Sequence, residues 1–139
     1  MELELSRQTI QTAGVLLLTI VAVEWGGWHV LRIVRGTVER TPFQLTFARA
    51  GHAHAGVLVT LSLVALLFAD AARLDGIVGT LARNGIPLAA ILIPAGFFFS
   101  SAERGATRPN RAIALVYAGM VALAVGVIAL GIGLVTAAV

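Results

Sequence analysis

All three histidines of the chain fall in two short stretches, and a glutamate opens the first of them. The first stretch is Glu24-Trp25-Gly26-Gly27-Trp28-His29-Val30-Leu31-Arg32; the second is Arg49-Ala50-Gly51-His52-Ala53-His54-Ala55-Gly56. Imidazole shuttles protons near neutral pH and ligates haem iron, zinc and copper. A carboxylate close to such rings adds a hard ligand or a titrating group. The sequence contains no cysteine, which excludes thiolate metal sites, disulfides and cysteine nucleophiles. It also lacks nucleotide-binding glycine loops, Ser-His-Asp orders and His-Glu-x-x-His zinc helices.

Spacing sorts these residues. His29 precedes Arg32 by three positions and His52 follows Arg49 by three. If both arginines mark one membrane surface, both histidines lie about 4.5 Å beneath it at a rise of about 1.5 Å per residue. His52 and His54 point to opposite sides, about 200° apart on a helix, so an undistorted helix cannot bring both to one ion. His52 shares its face with Ala48, Ala55 and Gly56, while His54 shares its face with Phe47, Leu61 and Phe68. The small face leaves room for a planar cofactor, which makes His52 the inward ligand and His54 a supporting or interfacial group. Glu24 lies roughly two turns deeper than Arg32. A carboxylate there costs about 2.5 kcal/mol or more, so it is expected to face the interior of a bundle and to have a partner. Glu103, Ser100 and Gly96 form one face at the end of a later helix. Glu24, His29, His52 and Glu103 are therefore candidates to border one cavity. Trp25 and Trp28 also fit an interfacial aromatic belt.

The elements that must hold these residues are membrane helices. Of 139 residues, 58% are hydrophobic and 12% charged, about half the charge of a soluble domain. Four apolar segments predict one all-α domain over residues 1–139, a polytopic four-helix transmembrane bundle with helices near 9–34, 43–70, 79–102 and 110–137. The segment before the first helix has more acid than base, unlike a signal peptide, and the helix is expected to be retained. All ten basic residues are arginine. Arg32, Arg35, Arg40, Arg49, Arg104, Arg108 and Arg111 fall on one side, and Arg7, Arg73 and Arg83 on the other. The positive-inside rule then places both termini outside, and the bias to Ala, Gly, Val and Arg suggests a bacterial chain and so an inner (plasma) membrane. The lipid bilayer is the expected surrounding partner. No soluble segment is long enough to make a basic nucleic-acid surface. In the fourth helix Ala118, Ala122 and Gly126 recur every four residues, as do Ala129 and Gly133. Such a stripe serves close packing within the chain, or contact with another copy or a larger membrane complex.

The segment Gly51-His52-Ala53-His54-Ala55-Gly56-Val57-Leu58 resembles small bacterial membrane proteins similar to haem–copper oxidase subunit I. That resemblance covers about a dozen residues. It implies a helical bundle whose histidines bind haem or a metal, with His52 and His54 as the matching positions. It does not supply Glu24 or His29. Three histidines are too few for two haems and a copper, so oxygen reduction on the full oxidase pattern is excluded for one chain. The whole chain also resembles small four-helix membrane proteins of actinobacteria, which implies topology and no activity.

Four readings follow. One is a b-type haem between His29 and His52 or His54, with arginines near its propionates, serving electron transfer or sensing. Another is a transition-metal site of His29, His52, Glu24 and Glu103. A third is a proton or solute path through Glu24. The fourth is an accessory subunit of a membrane complex. Whether the chain is an enzyme is left open by all four.

Overall fold

The computed structural model describes residues 4–138. Helix α1 spans Arg7–Val34, α2 Pro42–Ala71 and α3 Gly76–Ser100; a 3-10 turn at Arg111–Ile113 leads into α4, Ala114–Ala137. All four are long and apolar enough to cross a membrane. Helix α3 begins three residues before the expected position 79 and ends at Ser100 rather than 102.

Local chemistry sets the helix starts. The Ser6 hydroxyl accepts from the Thr9 amide at 3.1 Å and caps α1. Thr41 and Gln44 form a reciprocal capping box around Pro42, whose missing N–H costs nothing at a first helical position. The Asn110 carboxamide accepts from the Ala112 amide at 2.9 Å. Pro87 and Pro94 are both buried within α3, which continues through them as one helix.

The helices pack in chain order: α1 on α2, α2 on α3, and α3 on α4, with α1 touching α3 only slightly. Among the described residues α1 and α4 do not meet, so each is a flank of the bundle. Glycine sets the α3–α4 distance. A Cβ on Gly126 would lie 2.8 Å from the Ile86 nitrogen, and one on Gly85 2.6 Å from the Gly126 Cα. Gly126, Ala129 and Gly133 are buried, so the small-residue stripe expected as a possible face for a second copy is occupied largely by α3.

Polar clamps hold both ends of the bundle. At one end the Asp70 carboxylate joins three helices. Its Oδ2 accepts from the Ser6 amide at 2.7 Å, and its Oδ1 accepts from Arg83 Nε at 2.9 Å and Nη2 at 2.7 Å. Arg83 Nη1 also donates to the Leu74 carbonyl at 2.7 Å. At the other end the Gln44 amide donates to the carbonyls of Ser101 and Glu103, both at 2.9 Å, and the Thr41 hydroxyl donates to the Ala106 carbonyl. The first clamp ties α1, α2 and α3 together at one end, and the second ties the start of α2 to the segment after α3 at the other.

Candidate functional site

Because α1 and α3 both lean on α2 and barely touch one another, a cleft of about 370 Å³ remains between them. Ala55 and Val59 of α2 form its floor; Leu16, Val23 and Gly26 form the α1 wall, and Ala90, Pro94 and Phe98 the α3 wall. Trp25, Ile91 and Phe99 form the rim and are more than half exposed, so the cleft opens sideways from the bundle. In a membrane protein that direction is the lipid.

The polar side-chain groups in the lining are His52, Thr19 and the Trp25 indole N–H. Thr19 is already engaged, its hydroxyl donating to the Leu16 carbonyl at 2.6 Å. His52 is different: its Nδ1 is buried and has no hydrogen-bond partner among the described residues. An orphaned buried polar atom costs about 1–3 kcal/mol, which an apolar side chain at this position would not incur. Pro94 has no N–H to bond the Ala90 carbonyl, and both residues line the cleft.

Two glycines of α1 make the place for this ring. A Cβ on Gly27 would lie 2.9 Å from His52 Cε1 and 3.2 Å from Nε2, while one on Gly26 would be 3.8 Å from Nδ1. The imidazole therefore packs close against the α1 backbone at Gly27. On the other side a Cβ on Gly51 would lie 2.9 Å from the Phe98 ring. Any larger residue at Gly27 or Gly51 meets the His52 or Phe98 ring that shapes the cleft.

The other sequence candidates lie elsewhere. His29 stacks on Trp25, ring centroids 5.9 Å apart, and does not line the cleft. His54 is exposed on another face of α2; its Nδ1–H donates to the Ala50 carbonyl at 2.7 Å and its ring meets Phe97 at 5.3 Å. Glu24 is exposed, which overturns its expected place facing the bundle interior. The reason is the rotation of α1. Thr9, Leu16, Gly26 and Ile33 are its buried residues, and Glu24 lies about 160° around from Gly26. Glu103 is exposed beyond the end of α3, accepting from Asn110 Nδ2 at 3.2 Å. Trp28 faces outward beneath the Arg32 guanidinium, 4.8 Å from its ring centroid. His29, His52, Glu24 and Glu103 thus do not border one cavity. Among the described residues no three His, Asp or Glu side chains come together as a metal site.

Among the described residues a single imidazole and no carboxylate line the cleft. What the arrangement offers is an apolar slot with one anchoring imidazole. Sequence reasoning also passed over the Asp70–Arg83 pair. Its signal was a carboxylate closing one apolar run and an arginine thirteen positions on, across a short turn.

No family model matches the chain, and neither a curated protein nor a solved structure is significantly similar to it.

Proposed function

We propose that this chain is a multipass protein of the bacterial inner membrane, both termini outside, that holds a flat apolar membrane-borne molecule in the α1–α3 cleft through His52. The observation that carries the reading is the buried, unpartnered His52 Nδ1 beside an apolar slot open toward lipid. Ligand sites are mostly apolar, with a few polar groups that set orientation, and this cleft has that composition. The His52 ring lines the cleft, and a small turn of the ring that uncovers its buried Nδ1 would offer a ligand one hydrogen-bond or coordination point. A porphyrin with one protein ligand and a lipid-soluble carbonyl compound both belong to the class. The arginine distribution supports the orientation.

The outward Glu24 gives no support to a transport path through the centre of the single chain. The test is to purify the protein in mild detergent, record its absorption spectrum and analyse an organic extract by mass spectrometry. The expected result is one apolar compound retained near one per chain and lost in His52→Leu. Retention of the same compound by His52→Leu at the same ratio overturns the reading, as does an extract holding bulk lipid alone.

A further inference from the structure

The two ionisable side chains the fold leaves facing outward at mid-depth are complementary, and they lie on different sides of the molecule. Glu24 is exposed on the outer side of α1, among Leu17, Val21, Trp28 and Leu31, all more than 40% exposed. A carboxylate in hydrocarbon needs a hydrogen-bond or charge partner, and among the described residues Glu24 has no hydrogen bond or ion pair. Helix α1 is also the least buried of the four candidate spans.

His54 faces outward from α2, beside Phe97 of α3. Its Nδ1–H is held by the Ala50 carbonyl, which leaves Nε2 as the free nitrogen of the ring. Depth is fixed by the contact of His52 with Gly26 and Gly27. Helices α1 and α2 run antiparallel, so moving two residues back from Gly26 and two on from His52 brings Glu24 level with His54, to within about 1.5 Å. Within one chain they do not meet, because His54 lies about 160° around α2 from His52, the residue that faces α1. The same operation brings Val21 level with Val57, which are 67% and 66% exposed.

We infer that copies of this chain associate head to tail in the membrane, the outer face of α1 of one copy packing against the α2 face of the next, with Glu24 bonded to His54 across the contact. One proton between a carboxylate oxygen and Nε2 satisfies the pair whichever group holds it. Because the two patches differ, the contact is heterologous and repeats from copy to copy. The charge-complementary surface that accepts Glu24 is thus carried by the chain itself. This inference does not depend on the cleft.

The chain has no native cysteine, so cross-linking in membranes tests it cleanly. A chain carrying both Val21→Cys and Val57→Cys should give a ladder of disulfide-linked oligomers on oxidation, and each single variant should give none. The ladder should fall at least tenfold with Glu24→Leu and return in the swapped pair Glu24→His with His54→Glu, helicity being unchanged in all. Cross-linking of Val21→Cys alone would show a symmetric α1 pair and overturn the inference. A ladder unaffected by Glu24→Leu, or absent from the parent double-cysteine chain, overturns it too.

Discussion

Asp70→Ala should destabilise the protein by about 3–5 kcal/mol, the range for breaking a buried ion pair from one side. The carboxylate is 2% exposed and its Arg83 partner 11%. Removing it loses two charge-assisted bonds from Arg83 and one from the Ser6 amide. At about 1.5–3 kcal/mol per charged hydrogen bond the two arginine contacts alone reach that range. The guanidinium then keeps only the carbonyls of Leu74 and Ala69. Arg83→Met should cost a similar amount. The double variant leaves no unpaired charge and should cost about 1–3 kcal/mol, less than the sum of the singles, giving a coupling of about 2 kcal/mol or more. The assay is helicity measured against denaturing detergent in mixed micelles for the four proteins of the cycle. A cost below about 1 kcal/mol for Asp70→Ala, or strictly additive singles, would refute the reasoning.

Gly126→Val should separate α3 from α4, since its Cβ would meet the Ile86 nitrogen at 2.8 Å; overpacking costs about 1–3 kcal/mol, read as a shifted unfolding midpoint. Gln44→Ala removes two carbonyl bonds at the opposite end and should cost about 1–3 kcal/mol, with faster amide exchange around Ser101. A cysteine placed at Ala138 should react with an impermeant thiol reagent in intact cells; labelling only after lysis would reverse the orientation.

Helix positions were legible because the long apolar runs and the charged residues between them mark the borders. The direction each helix faces was not. Helix α1 is apolar on nearly every side, so no polar stripe sets its rotation. What sets it is Gly26 and Gly27 seating the His52 ring, a contact visible only once α2 is in place. Cost alone argued that Glu24 turns inward, yet the fold turns it out. The opposition of His52 and His54 followed from helical geometry alone, because it needs one helix and no neighbour. The Asp70–Arg83 clamp was missed because each residue, taken singly, reads as a charge at a membrane border. The cleft, likewise, depends on α1 and α3 standing apart on α2, which no run of residues records.

The central claim, that His52 anchors an apolar molecule between α1 and α3, is tested most directly with the cleft's own indole. The chain has two tryptophans; Trp25 lines the cleft and Trp28 does not, so Trp28→Phe leaves one reporter at the rim. 1,4-Naphthoquinone, flat and apolar with carbonyl acceptors, is titrated into this variant in lipid nanodiscs after extraction of any resident ligand. Saturable quenching of Trp25 is expected, with an apparent affinity at least tenfold weaker when His52→Leu is added. Quenching that rises linearly without saturation, or that is the same with leucine at position 52, would contradict the account.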